Sequence, residues 1–441
     1  RVRTRGGPGG SMTPTATAPR LTRAYWRLFA ASGISNLGDG LYFAALPLLS
    51  ARLTRSETLI SVTAAASLLP WLLFALPVGA IIDRSDRKRV MVLTDTLRMV
   101  VVGALALAVA LDAVHIWMVW VVAFTLGTAE VFFDSASQAM LPAVVHPDLL
   151  GKANGRKWSV ELTANTFIGT PIGSLLFIAA MALPFGVDAV TFAIAALLVV
   201  GIPGNFSATT VDRHPTASIY AELRTGVRWL WRLPLLRAIA LSLAISNLAF
   251  QMPLAVFVLF AQDVLGVGES GFGLLLGLMG VGAIIGGLIG DRVVALLGRT
   301  VCIYGALVTW TLTMLAVPLY PHAWFVAVVV TFETMATTVW NVVTVSLRQQ
   351  IIPAELFGRV NGVYRWVAWG TLPIGAIAGG QVSAVFGLKA VYGASAMLMV
   401  LALAVLVRDV RTSTIVQALA GNREASSQDD TPVARRDPLF D

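Results

Sequence analysis

Carboxylates embedded in apolar sequence are the groups in this chain whose type and spacing could do chemistry. Asp39 follows Asn36 and Gly38 in a run that is otherwise apolar up to Pro47. Glu130 and Asp134 stand four residues apart in another run, on one face of a helix. Two acids so close cannot both ionise cheaply away from water. A group that gains and loses a proton near the working pH is what a proton carrier needs. Proton coupling is therefore assigned to Asp39, Glu130 and Asp134, with Asp134 equally suited to tightening a gate against an arginine. Glu333 is a lone acid in a third run, fit to bind a cationic substrate or to pair with Arg365. Asp95 and Arg98 read as a structural charge network beside the basic segment 83–89, and Glu161 as the i,i+4 partner of Lys157.

Other chemistries lack their residues. Cys302 is alone, the four histidines (His115, His146, His214, His322) form no HExxH pair, and no GxxxxGK[ST] loop occurs, so neither a metal nor a nucleotide cofactor is expected. Gly280-x-Gly282 has no strand before it and no acid after it to make a dinucleotide fingerprint. An enzyme is not indicated. Trp340, Trp366 and Trp369, with Asn36, Asn247, Gln251, Glu333 and Asn341, are the candidates for lining a large substrate cavity.

The elements that hold these groups must lie in a membrane. Of 441 residues, 57% are hydrophobic and 13% charged, with mean hydropathy +0.78; soluble domains carry about 25% charged residues. A bilayer core needs about 20 apolar residues per helix. Twelve such stretches are found, near 28–52, 58–82, 90–111, 116–140, 156–181, 184–203, 237–262, 270–290, 300–319, 323–347, 360–383 and 388–407. They are too long, and lack the alternation, for barrel strands. Of 32 lysines and arginines, 28 fall in the tails and in every second loop; Arg52, Arg55 and Lys389 take the other side and Arg98 lies within a stretch. Cytoplasmic loops carry the Lys/Arg excess, so both termini are expected in the cytoplasm. The net charge of +8 thus marks a membrane face and not a nucleic-acid partner. Met12 is the expected natural start, Arg1 to Arg20 has no apolar core of a secretory signal, and 421–441 reads as a disordered tail.

The sequence also repeats itself. Ile34-Ser35-Asn36-Leu37 returns as Ile245-Ser246-Asn247-Leu248, 211 residues on. Gly79-x-x-x-Asp83-Arg84 returns as Gly287-x-x-x-Asp291-Arg292 after 208, and Gly151-Lys152-Ala153-Asn154-Gly155 as Gly358-Arg359-Val360-Asn361-Gly362 after 207. The expected organisation is a tail (1–27), a six-helix bundle (28–203), a linker (204–236), a second six-helix bundle in the same orientation (237–407) and a tail (408–441). By this repeat Glu130 maps to Thr337 and Asp134 to Asn341. The second half has lost those two charges, which concentrates proton binding in the first.

Two parallel six-helix repeats are the plan of major facilitator transporters, and the motifs resemble that superfamily. Gly79-Ala-Ile-Ile-Asp83-Arg84-Ser-Asp86-Arg87-Lys88 is similar to its loop signature G-x-x-x-D-R-x-x-R-K. Gly169-Thr170-Pro171-Ile172-Gly173 resembles the antiporter signature G-P-x-x-G, with Thr170 inserted. A narrower resemblance, to the branch of macrolide efflux pumps, siderophore exporters and lysophospholipid transporters (drug:proton antiporter-3 type), rests on Gly127-Thr-Ala-Glu130-Val-Phe-Phe-Asp134, Asp188-Ala-Val-Thr-Phe192 and Pro353-Ala-Glu-Leu-Phe-Gly358-Arg359. The resemblance implies a monomeric, proton-driven exporter of amphipathic small molecules in a bacterial inner membrane, in contact with lipid. Asp83, Arg84, Arg87 and Lys88, with Gly79, Asp95, Arg98, Asp291 and Arg292, would form its cytoplasmic gate. A lysophospholipid transporter is the alternative; a nutrient importer and a non-transporting receptor rank below it.

Overall fold

The computed structural model describes residues 21–82, 84–204, 206 and 219–417; the first and last stretches of the expected tails, and Asp83, lie outside them. The described residues are helical, with α1 (Arg23–Leu53), α2 (Glu57–Ile82), α3 (Arg87–Ala110), α4 (Ile116–Val144), α5 (Leu150–Leu162), a π-helical turn at Thr163–Gly169, α6 (Thr170–Ala179) and α7 (Leu183–Val200). After the linker helix α8 (Ile219–Arg232) come α9 (Pro234–Ala255), α10 (Phe257–Leu259), a second π-helical turn at Phe260–Val264, α11 (Glu269–Leu297), α12 (Arg299–Leu319), α13 (Ala323–Ile351), α14 (Ala354–Trp369), α15 (Leu372–Phe386) and α16 (Leu388–Asp409).

Each apolar stretch falls on helix. Among the described residues ten helices are long and apolar enough to cross a membrane, two fewer than the twelve expected. The missing two have physical reasons. α1 is 31 residues long but interrupts its apolar run with Ser32, Ser35, Asn36 and Asp39. The eleventh stretch is cut at Gly370–Thr371 into α14 and α15, because Pro373 has no N–H to give the Trp369 carbonyl. Local signals set the helix ends: Thr22 Oγ1 accepts from Tyr25 N at 3.1 Å, and Asp86 Oδ1 accepts from Lys88 N and Arg89 N at 3.0 and 3.3 Å to open α3.

Packing repeats as the sequence does. α1 on α7, α3 on α7, α2 on α4 and α3 on α4 in the first half are matched by α9 on α16, α12 on α16, α11 on α13 and α12 on α13 in the second. Between the halves, α6 packs on α11 and α15 on α2. Glycines allow this approach: a Cβ at Gly273 would stand 2.5 Å from Ser174 Cβ, and one at Gly380 2.4 Å from Ser61 Cβ. At the end carrying Arg52 and Arg55, ion pairs Arg52–Glu269 and Arg55–Asp263 join the halves. Deeper in, Trp366 Nε1 donates to the Leu72 carbonyl at 3.0 Å, and Trp369 meets Trp71 edge-on at 5.1 Å.

Candidate functional site

The gap between the halves holds a cavity of about 330 Å³. Asp39, Tyr42 and Glu130 reach it from the first half, and Gln251, Phe257 and Phe272 from the second. A second cavity of about 190 Å³ lies wholly in the first half, walled by Asn36, Asp134, Trp158 and Glu161. Asp39, Glu130 and Asn165 line both. The three sequence-assigned proton residues are thus brought to one place, two of them where a mostly apolar chamber meets an acidic one.

Behind them lies a buried charge cluster. Arg98 is 1% exposed, with Nη1 3.8 Å from Asp39 Oδ2, 4.0 Å from Asp95 Oδ1 and 3.5 Å from Ser35 Oγ. Its guanidinium lies 5.3 and 5.2 Å from the rings of Phe133 and Phe192. Asp188 of α7, also buried, is within electrostatic reach of both Arg98 and Asp39. Three carboxylates therefore surround one guanidinium. Full ionisation would leave two uncompensated negative charges away from water, a heavy cost.

Asp95 and Arg98 therefore lie beside Asp39, deeper than the 84–89 loop. They lie 8 and 11 residues into α3, so helical rise carries them about 12–16 Å in from Arg87. Within the loop itself, Arg87 Nη1 donates to the Ala139 carbonyl at 3.0 Å and Lys88 Nζ to the Ile202 carbonyl at 2.8 Å. Both bonds stay inside the first half. Arg84, Asp291 and Arg292 are exposed, and Asp83 lies outside the described residues. At Gly79 of the loop signature a Cβ would meet nothing within 4 Å, so no helix packs closely on it.

The helix-five motif has a packing role. A Cβ at Gly169 would stand 2.7 Å from Gly40 Cα, and one at Gly173 2.5 Å from the Leu41 carbonyl oxygen, so α1 lies directly on this segment. Pro171 faces the other way, against Gly277 of α11. Glu161 pairs with Lys157, as the spacing predicts.

The expected cavity residues divide. Gln251 lines the main chamber and Asn36 the acidic one. Asn247 donates to the Ala368 carbonyl at 2.7 Å and ties α9 to α14. Trp340 is fully buried against Trp310 in the second half. Trp366 and Trp369 bridge the halves, Asn341 is exposed outside both chambers, and Glu333 lies in a pocket of its own, away from Arg365. Arg365 stacks on Trp369 at 4.8 Å, and its charge reaches Asp134 less strongly than those of Lys157 and Arg98 do. Sequence reasoning gave no role to Tyr42, Asn165 or Asp188. Asp188 carried the same signal as Asp39, an acid in an apolar run; the others show only once α1, α4 and the π-helical turn Thr163–Gly169 are placed.

A family model described as transmembrane secretion effector matches residues 14–433. The chain belongs to this family of major facilitator transporters. It is 26% identical over 412 residues to the multidrug efflux pump Tap of Mycolicibacterium fortuitum, covering 88% of this chain and 95% of that protein. It is 24% identical over 154 residues to macrolide efflux protein A of Streptococcus pyogenes, covering 35% and 38%. Among solved structures it resembles a variant of the nucleoside transporter NupG, with TM-score 0.72, 11% identity and coverage of 88% and 100%. A bacterial homologue of the iron transporter ferroportin matches with TM-score 0.67 in its inward-facing state (17% identity, 89% and 100% covered) and 0.58 in its outward-facing state (17%, 88% and 99%). The fold is that of a major facilitator transporter, and the chain is a multi-pass membrane transporter rather than an enzyme.

Proposed function

We propose that the chain is a proton-coupled exporter of amphipathic small molecules of the drug, macrolide or siderophore class, working by alternating access from a bacterial inner membrane. Twelve helices cross the membrane in two six-helix halves, 28–203 and 237–407, with α1 and the broken pair α14–α15 completing the ten uninterrupted spans. Both termini are cytoplasmic and a monomer suffices. The recurrence of the four helix packings in each half supports the division. The names of the efflux relatives support the substrate class.

One observation carries the reading: Asp39 and Glu130 line both the apolar chamber between the halves and the acidic chamber of the first half. A substrate in the first chamber and protons in the second therefore compete for the same two acids. Arg98 and its three carboxylates supply a cluster whose proton content can change, because one cation cannot offset three anions. The halves close on each other at the Arg52–Glu269 end, which is the outward end by the Lys/Arg distribution. The better match to the inward-facing ferroportin homologue supports the same state. Rocking of the halves would expose the chamber to either side in turn.

The test is accumulation of ethidium, tetraphenylphosphonium and erythromycin in cells stripped of their own pumps. Cells making this chain should hold less of at least one probe, and a protonophore should restore the level of the control. A deficit that a protonophore leaves untouched would refute the coupling.

A further inference from the structure

Glu333 stands apart from the acids of the main chamber. It projects from α13 inside the second half, 2% exposed, into a pocket of about 30 Å³ walled by Phe250, Phe257, Met314 and Tyr392. That is room for one or two waters and for nothing drug-sized. Among the described residues its Oε1 has no hydrogen-bond partner, and neither has Thr313 Oγ1 in the same pocket. Tyr392 of α16 is the titratable group beside it, and no charged side chain among the described residues acts on it. An ionised carboxylate alone in such surroundings costs several kcal/mol. A protonated one can donate to the Thr313 hydroxyl, directly or through a water, and still accept.

The wall between this pocket and the main chamber is irregular helix. Leu254 and Phe257 line both spaces. They flank a break in the helix: Pro253 gives no N–H to the Ala249 carbonyl, and Val256, at φ −114° and ψ 11°, lies outside helical dihedrals between α9 and α10. The π-helical turn Phe260–Val264 follows directly. Such irregular turns cluster at functional sites and hinges.

We propose that Glu333 is a second proton-binding site, housed in the second half and opened to the main chamber when the broken segment Pro253–Phe257 shifts. This rests on the proton-coupled reading and extends it. Each half then holds its own proton-binding carboxylate.

Infrared spectroscopy of the full-length protein in lipid vesicles tests this, following the carbonyl stretch of protonated carboxyls over the pH range in which the helical circular dichroism is intact. Wild type should show a band that is absent from Glu333→Gln, displaced in Glu333→Asp, and lost reversibly toward alkaline pH. Glu333→Asp keeps a titratable group and identifies the band even if the amide variant fails to fold. A Glu333 band that persists at every pH would make the residue a fixed hydrogen-bond donor and overturn the proposal. The absence of any such band would overturn it as well. Glu130→Gln separates the two readings: if it removes no titrating band while the Glu333 band titrates, Glu130 is cleared of proton binding and the Glu333 assignment stands.

Discussion

A methyl group at Gly273 should push the transporter out of the state described here. An ideal Cβ at that position would stand 2.2 Å from Ser174 Oγ, 2.5 Å from Ser174 Cβ and 3.0 Å from the Thr170 carbonyl oxygen. Carbon atoms prefer separations of about 3.5–4.0 Å, so α6 and α11 must part by about 1 Å. No rotation of Ser174 removes its own Cβ from the clash. Overpacking of this kind costs about 1–3 kcal/mol, and the contact joins the two halves, so the cost falls on the state in which that end is shut. The population ratio should shift roughly 5- to 150-fold toward the alternative. Gly287→Ala is the control on the same helix, because a Cβ there meets nothing within 4 Å. Spin labels at the exposed positions Arg89 and Leu296, in a background with Cys302 replaced, report on the opposite end. Their distance distribution should move to shorter values in Gly273→Ala and stay put in Gly287→Ala. An unchanged distribution in a folded Gly273→Ala protein would show that the α6–α11 contact does not select the state.

Arg98→Met should leave Asp39, Asp95 and Asp188 without their cation and lower stability by about 3–5 kcal/mol, read from denaturant unfolding in detergent; Arg98→Lys should recover part of this. Trp366→Phe keeps a ring but removes the 3.0 Å hydrogen bond to the Leu72 carbonyl. It should weaken the contact between the halves by about 0.5–1.5 kcal/mol, read from the same denaturant unfolding.

The helices were legible because burial in lipid and long apolar runs are the same constraint. Asp39, Glu130 and Asp134 were legible for the complementary reason, that an acid in such a run is costly without a task, whereas Asp188 carried the same signal and was passed over. What could not be read was depth and direction. Arg98 looked like a neighbour of the loop at 84–89 because sequence distance hides helical rise; its place beneath Asp39 depends on how α3 lies against α1 and α7. Trp340 looked like a chamber wall, but α13 turns it toward Trp310. The repeat suggested that the second half had given up its acids, since Thr337 and Asn341 replace Glu130 and Asp134. Glu333, at a position equivalent to Leu126, shows that the halves diverged in where the acid sits.

Glu130 is the acid at which substrate and proton are proposed to meet. The most direct measurement is proton release from energised everted vesicles, followed with a pH-sensitive dye, on addition of a probe that the cell assay shows to be exported. Wild type should release protons when the probe is added, and Glu130→Gln, inserted in equal amount, should not. Release of equal size from both proteins would contradict the account.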